Sequence, residues 1–144
     1  MRCACWPRCA PGRERYIAEI ESLAESLGVR AVTAITAARA DVREAYAVSD
    51  LVLQLSNKPE AFGRTVLEAL SVGRPVLGWD HGGVGELLRG LYPAGAVPLD
   101  DLAALTGAAH SLLAAPPPMP VTIPHTLAAM QSATLELYER LAAD

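Results

Sequence analysis

Several things are missing from this chain, and each absence narrows what it can do. Positive charge is not in surplus: 12 Lys and Arg face 16 Asp and Glu, for a net charge of -4. A nucleic-acid partner calls for a basic patch, so that class is set aside. No apolar run nears the ~20 residues needed to cross a bilayer, so no transmembrane segment is expected. The opening "MRCACWPRCAPG" has no apolar core and is not a secretory signal, which leaves a cytoplasmic protein as the expectation. Cysteine is scarce: Cys3, Cys5 and Cys9 are the three in the chain. As a metal site, C-x-C-x3-C supplies three ligands with no fourth nearby, and His81 is far along the sequence; structural zinc needs four. No metal or other cofactor is expected, and residues 1–12 read as an irregular Cys/Arg/Pro-rich tail. No Ser-His-Asp or Cys-His arrangement is suggested, and no P-loop pattern occurs. His110 and His125 read as structural residues.

What remains is a globular composition, 51% apolar and 19% charged over 144 residues, enough for one domain with a real core. From Glu14, apolar residues at Tyr16, Ile17, Ile20, Leu23, Ala24 and Leu27 recur at helical spacing, and Gly28 stands where a C′ glycine would end that helix. "VRAVTAIT" reads as a strand, "ADVREAYAVS" as a short helix with an Asp at its start, and "DLVLQLS" (50–56) as a buried strand. "GRTVLEALSVG" is a helix between Gly63 and Gly73, "RPVLGW" (74–79) a strand, "GVGELLRGL" a short helix and "GAVPL" a short strand that Pro98 marks as an edge or an end. "DDLAALTGAAHSLLAA" is a helix capped by Asp100 or Asp101. The Pro-rich stretch 116–124 reads as a connector, and 125–144 as a last helix with a stripe at Leu127, Met130, Leu137, Tyr138 and Leu141.

Strands alternating with helices over 13–115 imply βαβ units with right-handed crossovers. The fold expected is α/β, a Rossmann-like parallel sheet with helices on both faces. It opens on a helix where a strand would normally stand, so its first strand or strands are expected to be missing or replaced. In such sheets ligands sit beyond the C-terminal strand ends, beside helix N-termini. The loops after Ser56 and Trp79 are at such ends.

After strand 50–56 the chain runs through Glu60, Phe62 and Gly63 into a helix whose first N–H groups have no intrahelical partner. With the helix dipole they form an anion site suited to a phosphate or diphosphate. Glu68, separated from Glu60 by seven residues, falls just over a turn into the helix on the face of Arg64 and Thr65. A carboxylate accepts from both hydroxyls of a vicinal diol such as ribose, and Glu60 suits a sugar on the other side of the phosphates. The plain alternative is that both glutamates only compensate the dipole or face solvent. The second loop, "DHGGVGE", brings glycines that let the backbone approach a ligand or merely make a turn; it is not a full G-x-G-x-x-G. His81 in it reads as a surface residue unless it faces a phosphate.

The stretch "SDLVLQLSNKPEAFGRTVLEALSVGRPVLGWDHGGVGELL" (49–88) strongly resembles the C-terminal, nucleotide-sugar-binding half of GT-B glycosyltransferases, most of all the retaining family 4 group. The resemblance lies in an apolar strand, then E-x-F-G-x-x-x-x-E-A (the E-x7-E motif), then G-x-P-V and a G-G loop, in that order, and extends more weakly over 13–144. It implies that Glu60, Phe62 and Gly63 meet the donor sugar. Arg64, Thr65, Val66, Gly82 and Gly83 would lie at the phosphates, and Glu68 on the ribose diol. The last helix is similar to the family's helix that crosses back to its N-terminal, acceptor-binding domain. That domain is absent here, as is the first strand with its diphosphate-holding Arg and Lys. Ala37-Ala38 stand where a glycine is usual. Residues 1–12 are accordingly expected to be a mis-started or frame-shifted reading.

The activity implied is metal-independent transfer of a sugar from an NDP-sugar to an acceptor hydroxyl with retention, in polysaccharide or glycolipid synthesis. The full-length enzyme would lie in the cytoplasm or peripheral to the inner face of the membrane. The isolated chain is expected to bind nucleotide weakly and not to turn over. The alternatives are half of another GT-B enzyme, such as a sugar-nucleotide 2-epimerase or a phosphorylase, and a non-enzymatic remnant that binds nucleotide or a partner chain.

Overall fold

The computed structural model describes residues 3–5, 14–36 and 41–143. The chain divides into two compact units, 1–42 and 43–144.

In the first unit, strand β1 (Cys3–Cys5) is followed by helix α1 (Glu14–Ser26), a 3-10 turn (Arg30–Val32) and strand β2 (Thr33–Ile35). β1 and β2 run parallel, with Cys3 opposite Thr33 and Cys5 opposite Ile35. β1 lies within the stretch read as an irregular tail, and it stands where the first strand was expected to be missing or replaced. "Cys-Ala-Cys" is too short for any periodicity to register, and it pairs through its backbone. The rest of that tail, Cys9 included, lies outside the described residues, as do Ala37 and Ala38. Gly28 closes α1 as expected: at φ 69° it lets its own N–H reach Glu25 O and that of Val29 reach Ala24 O. The strand expected over "VRAVTAIT" is shorter than its β-branched content suggests. Thr33 Oγ1 donates to Val29 O at 2.9 Å and the Arg30 guanidinium to Thr33 O at 3.0 Å. These local bonds hold the first residues in a turn rather than a ladder.

The second unit runs α2 (Arg43–Ala47), β3 (Val52–Gln54), α3 (Arg64–Ser71), β4 (Val76–Trp79), α4 (Gly82–Leu91), a 3-10 turn (Pro93–Gly95), β5 (Ala96–Val97), α5 (Leu102–Ala114) and α6 (Leu127–Ala143). Its sheet is parallel in the order β3-β4-β5, with Gln54 opposite Gly78 and Trp79 opposite Val97. The described strands form two parallel sheets, β1-β2 and β3-β4-β5. β4 is buried at all four positions. Because side chains alternate across a strand, it is covered on both faces. β3 is less buried than its apolar run suggests: Val52 is buried and Leu53 exposed, as befits the edge strand of this sheet. β5 ends at Val97, and Pro98 follows outside the ladder.

Val66 and Leu70 of α3, Val76 and Leu77 of β4, and Leu88 of α4 form the centre of the core. Asp101, not Asp100, caps α5, its carboxylate accepting from Ala104 N at 2.9 Å. Met119 and Ile123 of the Pro-rich connector pack against the core, but every described side chain of α6 is exposed. Among the described residues, no helix is long and apolar enough to cross a membrane.

Candidate functional site

The loops that leave β3, β4 and β5 all lie at the C-terminal end of the parallel sheet, where helix starts gather. They are joined by short bonds. Asp80 N donates to Val97 O at 2.7 Å, and Asn57 Nδ2 donates to Asp100 Oδ1 at 3.2 Å. The segments after β3 and β4 are joined directly, Gly83 N donating to Glu60 O at 2.8 Å.

Two glycines make that join possible. Gly63, the N-cap of α3, sits at φ 79°, in the left-handed region that L side chains rarely adopt. A Cβ there would also stand 3.2 Å from the Val84 backbone at the start of α4. A Cβ on Gly83 would come within 2.7 Å of Ala61 O. The glycine pair was expected to let the backbone approach a ligand. In the structure they let the two loops approach each other, with Gly82 and Gly83 lying against the backbone of residues 60–62. Gly83 N–H is engaged by Glu60 O. Val66 is also less available than expected: its N–H donates to Gly63 O at 3.0 Å and its side chain is fully buried. The start of α3 that remains to receive an anion is narrowed to the N–H groups of Arg64 and Thr65.

Both glutamates are half-buried, and each is held by a neutral donor. Gln54 Nε2 donates to Glu60 Oε2 at 2.7 Å. Tyr46 Oη donates to Glu68 Oε2 at 3.3 Å, while the Arg64 guanidinium donates to Glu68 Oε1 at 3.1 Å. Burial, first of all, raises the Tyr46 phenol above its ordinary value; a hydrogen bond with Thr65 works against this, and the Glu68 charge adds to it. Tyr46 therefore stays a protonated donor at neutral pH. The two carboxylates stand on either side of the α3 start, one before its glycine N-cap and one in its second turn.

Phe62 is half exposed and meets His125 edge to face, with ring centroids 6.2 Å apart and planes at 84°. His125 thus reaches the motif loop, although nothing in its sequence context signals that. A cleft of about 460 Å³ opens there, lined by Ala61, Phe62, Glu86, Leu87 and Pro124 among others. Gln54 and Tyr46 are absent from the sequence-based site. Gln54 had one legible signal, as the polar interruption of an apolar strand. Tyr46 had none beyond its aromatic ring in a short helix. No group of three or more His, Cys, Asp or Glu that would hold a metal occurs among the described residues.

The family described as "Glycosyl transferases group 1" matches residues 11–117. No curated protein matches the chain. Among solved structures, an Anabaena protein, HepE, in complex with UDP-glucose is 25% identical with a TM-score of 0.60, over 78% of this chain and 35% of its own. A glycosyltransferase from Rickettsia africae is 19% identical with a TM-score of 0.72, over 99% of this chain and 40% of its own; at that identity it speaks for the fold alone. WaaG, a glycosyltransferase involved in lipopolysaccharide biosynthesis, is 31% identical with a TM-score of 0.57, over 67% of this chain and 26% of its own. The chain therefore spans well under half the length of the solved proteins it resembles.

Proposed function

This chain belongs to the glycosyl transferases group 1 family, and we propose that its second unit is the donor-binding part of a glycosyltransferase. The observation that carries this reading is the pair of held carboxylates on either side of the α3 N-terminus. A nucleotide-sugar would lay its diphosphate on the N–H groups of Arg64 and Thr65, where the helix dipole favours negative charge. Glu68 would take the ribose diol, and Glu60 the hydroxyls of the donor sugar beside Phe62 and Gly63. Val66, Gly82 and Gly83 would support that grip from behind by fixing the loops. The UDP-glucose in the HepE structure and the glycosyltransferase activity of WaaG favour a nucleotide-sugar as the ligand class.

In this reading the sugar passes to an acceptor hydroxyl with retention and without a divalent metal. Charge that develops on the leaving diphosphate is met by the α3 start and by Arg64. The acceptor would be a growing polysaccharide or a glycolipid, bound by a separate acceptor-binding domain. The chain alone would bind the donor and not turn it over. Calorimetric titration with UDP, GDP and ADP tests the reading. One of the three should bind, and Glu68→Ala should weaken it by about tenfold or more, the loss expected from a charged hydrogen-bond acceptor. Failure of all three to bind would favour the second reading, an interaction fragment, to which the uncovered apolar side chains of α6 lend their own support.

A further inference from the structure

Gln54 interrupts an apolar strand, Leu51-Val52-Leu53-Gln54-Leu55. By the two-residue period of a strand it shares a face with the buried Val52, while Leu53 points to the exposed side. An amide on that face costs free energy unless it is bonded. Its backbone is fixed by pairing with Gly78 of the fully buried β4. From there its side chain reaches Glu60, Nε2 to Oε2 at 2.7 Å. The main chain of Glu60 is fixed separately, by Gly83 N–H on its carbonyl at 2.8 Å. Glu60 is thus tied to β4 through Gln54 and to α4 through Gly83, two of the most deeply buried elements of the fold.

We propose that Gln54 is a positioning residue for donor-sugar recognition: its amide holds one oxygen of Glu60 so that the other is presented to a sugar hydroxyl. This rests on the donor-binding reading of Glu60 given above. The chemistry of the partner matters. A lysine or arginine at 54 would form an ion pair and draw the carboxylate away from hydroxyl donors. An amide orients the carboxylate and leaves its charge and its second oxygen available. Glu68 is held differently, with both oxygens engaged by Tyr46 and Arg64. Discrimination between a nucleotide-sugar and its bare nucleotide should therefore depend on Gln54 and Glu60, while affinity for the nucleotide should not.

The test compares the full chain with Gln54→Leu and Gln54→Glu. Each is titrated with UDP-glucose, GDP-mannose and ADP-glucose and with the matching diphosphates. Leucine suits the apolar face, and thermal unfolding checks that each variant folds. Loss of a hydrogen bond to a charged group should remove about tenfold of the preference for the nucleotide-sugar over its diphosphate, with the diphosphate Kd held within about twofold. Gln54→Glu, which sets a second carboxylate against Glu60, should do at least as much. If the chain binds a donor and both variants keep the full preference, or lose diphosphate and nucleotide-sugar affinity alike, the proposal is overturned while the donor reading stands. If the wild-type chain binds none of these ligands, both fall. A second measurement needs no ligand. In the 15N-labelled chain, the side-chain amide resonances of Gln54 should move on Glu60→Ala; unmoved resonances would mean that the contact does not exist and would also overturn the proposal.

Discussion

Helices α3 and α6 both show apolar residues at helical spacing, yet they end in opposite conditions. In α3, Val66, Leu67, Ala69 and Leu70 are buried. In α6, Leu127, Met130, Leu137, Tyr138 and Leu141 are all exposed, the least of them Leu137 at 47%. α1 resembles α6, with Ala24 its one buried residue. The difference lies in what stands beside each helix. α3 and α4 are crossovers within the three-stranded sheet and return onto it, whereas α1, though also a crossover, has only the two-stranded β1-β2 sheet to cover. α6 follows a Pro-rich connector and does not link two strands of the described sheets. A hydrophobic stripe thus states what a helix is able to bury, and topology decides whether it does.

This contrast predicts mutational effects of very different size. Leu88→Ala removes a fully buried side chain from the centre of the core and should cost about 2–5 kcal/mol in denaturant unfolding. Leu137→Ala in α6 should stay within about 0.5 kcal/mol in the same assay. A comparable loss at both positions would mean that α6 is covered in solution. Gly83→Ala should come next. Its methyl would meet the Ala61 backbone, forcing the two loops apart. A destabilisation of about 1–3 kcal/mol is expected, together with loss of nucleotide binding, since overpacking here displaces the whole site. Tyr46→Phe should be milder still, a few-fold weakening of diphosphate binding with thermal stability nearly unchanged, because it removes one hydroxyl from behind Glu68.

A small effect is also expected at Tyr92. Its hydroxyl is buried with no hydrogen-bond partner among the described residues, so Tyr92→Phe should leave stability at pH 7 within about 1 kcal/mol of wild type, or raise it. Burial raises its phenol above the ordinary 10.0. The unfolded chain therefore releases that proton first as pH rises, and stability falls above about pH 10. Tyr92→Phe should flatten that alkaline loss, and Tyr46→Phe should flatten it in part, since the Tyr46 phenol is raised too. Unfolding curves between pH 8 and 11 would check both.

The order of elements from Arg43 to Ala114 was legible because its apolar runs and glycines alternate cleanly, and the glutamate pair around the α3 start was legible from spacing alone. β1 was not, because three residues carry no period. The split into two sheets was not, since strand pairing is a long-range event that local pattern does not encode. At the site, sequence showed the residues that face outward, Glu60 and Glu68, but not those that hold them. Gln54 and Tyr46 act across 6 and 22 positions of chain, through contacts that exist only after β3 and α2 are in place. The glycines were legible too, and the structure adds that another stretch of backbone lies against them.

The central claim is that an anion binds at the start of α3 between the two carboxylates. A nucleoside diphosphate titration of the 15N-labelled chain, followed at the backbone amides, tests it directly. Saturable shifts are expected at Arg64 and Thr65, with α6 unmoved. Shifts confined to α6 or α1, or saturable binding that leaves Arg64 and Thr65 in place, would contradict it.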